Sequence, residues 1–274
     1  RPWDLEEAES TSAFDSVGSR ISIHASRNQV LRIQGVDSDS VNWGWISDKE
    51  RFIFEAFSHV DRLDTPLINK KETENSQQDK SSWPESLKAA ASALRETSSD
   101  RIAILGGSRL TNESQYAWTK VAKGILGTDN IDAQMGDGLS PEFLLGLPRA
   151  TINDACKPGG TIVLLGPDPK EELGSLYLRL RHAVVHDGAT LIELTPTSTG
   201  LTPYAAHSLR VRPGETTEVV RSMFGEGGVA PIGGVDPEDA KKAGSLLQAA
   251  DSVTVLLGRS SLAETEGPVI DAAL

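Results

Sequence analysis

Ser12, Asp15, Ser19 and Ser47 are separated by two, three and twenty-seven intervening residues in this 274-residue chain. With cysteine at all four places the segment would read C-x2-C-x3-C-x27-C, a binding loop for a [4Fe–4S] cluster, which is held by four thiolates. Here the frame is kept and every thiolate is gone; the spacing alone also describes a polar loop. The one cysteine, Cys156, excludes an internal disulfide and any four-cysteine metal site, structural zinc included. It reads as a small residue at a helix end, the other reading being a reactive thiol. His182 and His186 have the i,i+4 spacing of helical metal ligands, yet no Glu lies between them as in H-E-x-x-H, so they read as surface or capping histidines. No G-x-G-x-x-G, Walker A lysine or G-x-S-x-G elbow occurs, which argues against dinucleotide, ATP and serine-hydrolase chemistry.

The elements that must position these residues change character along the chain. Residues 1–68 form a β-rich unit: Arg20–His24 and Gln29–Ile33 alternate apolar and polar positions on either side of a hairpin turn at Ala25–Asn28. Trp3, Trp43, Trp45 and Phe52 are expected to fill its core. Residues 69–82 carry no large apolar side chain and read as a loop or linker. From 83 to 274 helix and strand alternate. Trp83–Arg95 reads as an Ala-rich amphipathic helix, Arg101–Leu105 as a strand ending in Gly106-Gly107, and Thr111 or Asn112 as a helix cap. Thr161–Leu165, Thr190–Leu194 and Ser252–Leu257 read as buried strands, and Asp236 opens a helix running to about Ala250. Such alternation predicts an α/β fold with a doubly wound, mostly parallel sheet.

In that kind of sheet ligands bind outside the carboxyl ends of the strands. The candidate loops are Gly106–Arg109, Gly166–Pro169, Thr195–Gly200 and Gly258–Ser261. The composition sets limits on partners. A formal net charge of −12 argues against nucleic acid and against docking on anionic lipid. No apolar run approaches the ~18 residues of a membrane span. The low cysteine content suits a cytoplasmic protein. The chain begins at Arg1 and closes within an opening helix, so it is expected to be a C-terminally truncated fragment of a longer subunit.

The flanks of the four-position frame are Arg1–Leu5, Val17–Ile21, Val30–Ile33, Val41–Trp45 and Asp48–Phe52, followed by Asp61–Leu63 and Pro66-Leu67. Further on come Thr111–Glu113, Gly127–Asp132, Gly166–Glu172, Leu178–Arg181 and Arg212–Gly214. In their order and spacing these segments resemble the large peripheral subunit of bacterial NADH–quinone oxidoreductase, respiratory complex I, in its molybdopterin-oxidoreductase-like region. The resemblance runs across most of the chain.

The resemblance implies a molybdopterin-oxidoreductase-like α/β fold in which the strand-end loops once held a bis-guanine-dinucleotide pterin. Three of those loops depart from the family pattern. Gly-x-Asn-Pro reads Gly166-Pro-Asp168-Pro169, Asp-Pro-Arg reads Glu193-Leu-Thr-Pro196, and Pro-Gly-Thr-Asp reads Pro213-Gly-Glu-Thr216. Carboxylates beside a phosphate path repel it. Gly106, Gly107, Asp168, Glu193 and Thr216 are thus expected to be vestigial pterin loops, and Ser12, Asp15, Ser19 and Ser47 vestigial cluster positions. No catalytic residue or metal ligand is expected in this segment, and no cofactor; 2Fe–2S and 4Fe–4S clusters are expected in the rest of the subunit. The implied role is a structural, non-catalytic part of the electron-transferring complex. Its partners are other peripheral-arm subunits, with no nucleic acid, membrane insertion or small-molecule substrate, on the cytoplasmic side of the plasma membrane. The alternative is a molybdopterin-dependent oxidoreductase fragment that still binds its pterin. Thr111–Glu113 reads as helix capping, or as a contact to the lost cofactor or a neighbour. Arg179 and Arg181 are expected in ion pairs with carboxylates of this chain, the preceding Glu171-Glu172 first, or of a partner; Trp118, Tyr177 and Arg179 are candidates for subunit contacts, Tyr177 equally for the core.

Overall fold

The computed structural model describes residues 4–69, 78–107, 110–133, 139–226, 231–258 and 265–274. Trp3, most of the 69–82 linker, Ser108-Arg109 and Arg259–Ser261 lie outside them. An antiparallel sheet opens the chain, with β1 (Glu6–Thr11), β2 (Arg20–Ser26) and β3 (Gln29–Gly35) in that spatial order. Arg27 and Asn28 both have positive φ, 51° and 63°. Two such residues make the tight turn whose twist matches a hairpin, at the place the sequence puts it. The core here is aliphatic: Ile21, Ile33 and Ile46 are buried. This corrects the expected aromatic core, since Trp43 and Trp45 are only half-buried and Phe52 is 51% exposed. Gly35 faces the Gly44 carbonyl so closely that a Cβ there would lie 2.1 Å from the oxygen.

The chain next forms α1 (Asp48–Phe52), β4 (Leu67–Asn69) pairing antiparallel with β5 (Gln78–Lys80), and α2 (Trp83–Arg95). Ser82 and Glu85 close a capping box on α2, which holds two of its first-turn donors. The helix forms as expected, but its apolar side chains Trp83 and Leu87 are exposed. The strand expected at Arg101–Leu105 is only β6 (Ile104–Leu105), because Ser99–Arg101 closes into a 3-10 turn. α3 (Asn112–Lys120) is capped by the Thr111 hydroxyl and continues as a π-turn to Leu126, where Gly127 at φ 67° ends it. β7 (Ile131–Asp132) pairs parallel with β6.

The remaining elements are α4 (Pro141–Gly146), α5 (Ile152–Ala155), β8 (Thr161–Leu165), α6 (Pro169–Glu172), α7 (Gly174–His186), β9 (Thr190–Thr195), β10 (His207–Arg210), α8 (Thr216–Met223), α9 (Pro237–Gln248), β11 (Val253–Leu257) and α10 (Glu266–Ala273). The four strands form one parallel sheet in the order β10-β9-β8-β11. Successive side chains of a strand face opposite sides, and both sides are covered. Ile162, Leu164 and Leu191 pack with Ala155, Leu180 and Ala183 of α5 and α7. Val163, Leu165, Ile192, Leu194 and Leu209 pack with Val219, Met223, Ala240, Ala243 and Val269 of α8, α9 and α10. Each fully buried Leu, Ile or Val contributes about 1.5–3 kcal/mol, which makes this doubly covered sheet the main store of stability. By packing, the chain divides into one compact unit of residues 1–52 with 136–274 and another of residues 53–135. No described helix is long and apolar enough to cross a membrane.

Candidate functional site

The loop between β1 and β2 is pinched shut by the Ser12 N–H, which donates to the Ser19 carbonyl at 2.8 Å. Inside it the Ser12 hydroxyl accepts from Phe14 N–H (3.3 Å) and Asp15 Oδ1 accepts from Val17 N–H (2.9 Å). Asn42 anchors the loop's exit. Its side chain is fully buried, accepts from Arg20 N–H, and donates to the carbonyls of Arg20, Val36 and Trp45. Ser47 begins α1, where its hydroxyl accepts from Glu50 N–H and Glu50 Oε2 accepts from both the N–H (2.8 Å) and the hydroxyl (2.9 Å) of Ser47. The same Oε2 accepts from the Ser175 hydroxyl at 2.8 Å.

Two of the four frame positions thus meet the first turn of α7, Asp15 and, together with Glu50, Ser47. Asp15 also accepts from the backbone N–H of Gly174. A Cβ on Gly174 would lie 2.5 Å from the Ser47 Cβ, so only glycine lets α7 start there. Burial raises the Asp15 carboxyl above its usual range and nearby Glu50 adds to this, while the N–H groups of Val17 and Gly174 oppose it. Cys156 lies beneath the sheet with Leu180 and Leu191, and its thiol is pushed up to about 11 by burial. The nest's donors are therefore carboxyl and hydroxyl oxygens. They do not fit a [4Fe–4S] cluster, which takes thiolates.

The strand-end positions are tied into the fold. Asp168 caps α6 by accepting from Lys170 N–H, and its other oxygen accepts from Gly200 N–H, each at 2.9 Å. Glu193 is 0% exposed. It accepts from the hydroxyls of Thr199 (2.7 Å), Thr202 and Ser208 (2.6 Å each), and from the Arg210 guanidinium at 3.1 Å. At the ends of β8 and β11 a Cβ on Gly166 would meet the Gly258 backbone nitrogen at 3.2 Å, and the Gly258 N–H donates to the Leu165 carbonyl. Thr216 is buried in the first turn of α8. Gly106 and Gly107 belong to the other unit, where Gln115 donates to the Gly107 carbonyl at 2.7 Å. A carboxylate engaged as fully as Glu193, and one bridging two loops as Asp168 does, do not fit a pyrophosphate, which takes N–H donors and cations.

Two further expectations are corrected. Among the described residues Arg179 makes no ion pair; it is 1% exposed and donates to the carbonyls of Val41 (2.7 Å) and Asp39 (3.4 Å) and to Asn153 Oδ1 (2.7 Å), with its guanidinium 3.6 Å from the Trp43 ring centroid. It is buried and so presents no subunit contact. Arg181 is exposed and donates to the Tyr204 hydroxyl, with no carboxylate partner among the described residues. His182 sits 3.1 Å from Asp187, edge-on to the Trp43 ring and tilted against Trp45 and His186. Among the described residues no three His, Cys, Asp or Glu side chains are grouped to hold a metal ion. Glu50, Ser175 and Asn42 were not singled out from the sequence. Ser47-x-x-Glu50 has capping-box spacing, a local signal that points to Glu50.

A doubly wound parallel sheet joined to a small antiparallel sheet, with a cluster-like loop on the antiparallel one, defines the class to which the comparisons also point. The chain belongs to the molybdopterin oxidoreductase family, whose model matches residues 62–224. Residues 5–55 match the NADH-ubiquinone oxidoreductase NDSU1/NuoG-like, 4Fe-4S domain. Among curated relatives, the NADH-quinone oxidoreductase G subunit of Streptomyces coelicolor is 29% identical over 94% of this chain and 33% of its own length. Its counterpart in Mycobacterium tuberculosis is 29% identical over 73% of the chain and 25% of its length. The NADPH-Fe(3+) oxidoreductase subunit alpha of Geobacter sulfurreducens is 27% identical over 81% and 26%. The chain thus spans a quarter to a third of these relatives. In fold it is similar to acetylene hydratase from Pelobacter acetylenicus, with a TM-score of 0.66 over 96% of this chain and 42% of that one at 14% identity. The resemblance read from the motifs, to the large peripheral component of NADH–quinone oxidoreductase, is borne out.

Proposed function

We propose that this chain is a structural, non-catalytic segment of the large peripheral-arm subunit of an NADH–quinone oxidoreductase, holding neither a [4Fe–4S] cluster nor a pterin. The observation that carries the reading is the oxygen-only donor set at Ser12, Asp15, Ser19 and Ser47, which hydrogen-bonds internally and to α7. Glu193 and Asp168 support it at the strand ends. Electrons would pass through clusters carried elsewhere in the subunit or its partners, and the segment would scaffold other peripheral-arm subunits on the cytoplasmic face of the membrane. The family match over residues 62–224 favours the alternative, an oxidoreductase segment that still binds a bis-guanine-dinucleotide pterin.

Elemental analysis separates the two. The purified chain is expected to hold less than about 0.1 iron, molybdenum or tungsten per molecule, and anaerobic reconstitution with iron and sulfide is expected to give no broad visible absorbance, since no thiolate is available in the frame. Stoichiometric iron with acid-labile sulfide, or stoichiometric molybdenum or tungsten with a pterin, refutes the structural reading.

A further inference from the structure

Three buried oxygen atoms in the N-terminal nest, Asp15 Oδ2, Ser19 Oγ and Glu50 Oε1, have no hydrogen-bond partner among the described residues. Ser19 is 0% and Glu50 1% exposed. Buried polar atoms are satisfied nine times in ten or more, by protein or by ordered water, so these three point to a partner bound in the nest. Asp15 and Glu50 are brought together by one helical turn, Asp15 taking the Gly174 N–H and Glu50 the hydroxyl of the next residue, Ser175; Ser19 lies in the loop that carries Asp15, which the Ser12 N–H closes by donating to the Ser19 carbonyl. Each carboxyl group already uses one oxygen on donors and keeps the other open.

The charge count narrows the partner. Among the described residues neither carboxyl group is paired with Lys, Arg or His. The start of α7 supplies only about half an elementary positive charge. A water molecule would satisfy hydrogen bonds and leave the charge. A divalent cation answers all three oxygens and both charges. Carboxylate and hydroxyl donors suit hard ions that keep several waters of their own, and not zinc, copper or iron, which favour nitrogen and sulfur. We propose that this nest binds a hard divalent cation of the magnesium or calcium class, through Asp15, Glu50 and Ser19. The inference rests on the reading that no iron–sulfur cluster occupies the same place.

The test uses the 274-residue chain stripped with EDTA, assayed first for iron and acid-labile sulfide, then titrated calorimetrically with MgCl2 and CaCl2, with Mn2+ as a paramagnetic probe. One saturable site per chain is expected, with Kd of about 1 mM or tighter. Asp15→Asn and Glu50→Gln are each expected to weaken it at least about tenfold, the scale seen when a ligand set is damaged. Near-UV circular dichroism checks that each variant is folded; if Glu50→Gln is not, Asp15→Asn and Ser19→Ala carry the test. Absence of saturable uptake at about 10 mM, uptake unchanged in the folded variants, or a melting temperature that follows pH with no response to cation overturns the inference while leaving the structural reading intact. A stoichiometric cluster in the first assay overturns both.

Discussion

Replacing Arg179 by methionine tests how the chain's two distant segments are joined. The guanidinium reaches from α7 to the Val41 carbonyl and to Asn153, each at 2.7 Å, and stacks 3.6 Å from the Trp43 ring centroid. Methionine retains the length of the stem and loses every donor. The Val41 carbonyl is left in a half-buried setting without its charged donor, at a cost of about 1–3 kcal/mol. The desolvated cation–π contact contributes about 1–2 kcal/mol more. Asn153 is exposed, so water replaces its lost bond at little cost. Relief of the guanidinium's own desolvation offsets part of this. The expected loss is about 2–4 kcal/mol in urea melts followed by tryptophan fluorescence. Arg179→Lys is expected to lose nearly as much, because an ammonium has neither the fork nor the planar face that meets Trp43. In a double-mutant cycle Arg179 and Trp43 should couple by at least about 0.5 kcal/mol. A loss below about 1 kcal/mol for Arg179→Met, the range of surface substitutions, refutes the reasoning.

Trp45→Ala is expected to cost about 1–3 kcal/mol in the same melts, less than the 3–5 kcal/mol of a fully buried ring, because Trp45 packs edge-on against Trp43 but is only half-buried; a loss above about 4 kcal/mol contradicts this. Asp15 has its folded pKa raised, chiefly by burial, so the folded state holds its proton more tightly than the unfolded chain, whose carboxyl titrates near about 3.9. In EDTA, stability should therefore fall as pH rises from about 4 through the raised value, and Asp15→Asn should remove that slope; an unchanged slope in the variant counts against the assignment. Cys156, buried and with its thiol pushed up to about 11, should react with a disulfide reagent at pH 8 only as fast as the chain opens, and fully in denaturant; immediate stoichiometric labelling of the native chain contradicts that.

The strands expected at Thr161–Leu165 and Thr190–Leu194 were legible because a run buried on both faces leaves a continuous apolar signature bounded by turn residues; Ser252–Leu257 carries the same signature and does form β11, but at the edge of the sheet and only half-buried, not buried as expected. The caps at Thr111 and Asp236 were legible because capping is decided within three residues. What escaped was decided at a distance. Glu50 meets Ser175, and Arg179 meets Val41, across well over a hundred residues of chain, and no local pattern marks either pair. Arg179 followed two glutamates in sequence and so read as an ion-pair former, although its side chain turns into the interior instead. The tryptophans read as core by size, whereas Trp43 serves as a platform for a cation. The frame positions themselves were found by spacing. Their use as acceptors for the start of α7 depends on Gly174, a residue whose importance lies in what its missing side chain allows.

The order β10-β9-β8-β11 also carries a history of assembly. β8 meets β9 after one short crossover, from Thr161 to Thr190, and β9 meets β10 after another, whereas β11 reaches β8 only from Val253. A separation roughly threefold longer adds about 0.7–1 kcal/mol of loop-closure entropy, and it must be met before the reward of pairing arrives. The sheet accordingly grows first toward β10 and closes on β11 last. In a chain emerging from the ribosome, or opening under stress, the bare flank is that of β8, a strand apolar on both faces. An unpaired apolar flank of this kind is where chains stick to one another, so the topology that delays β11 is expected to lengthen the interval in which this segment is open to aggregation.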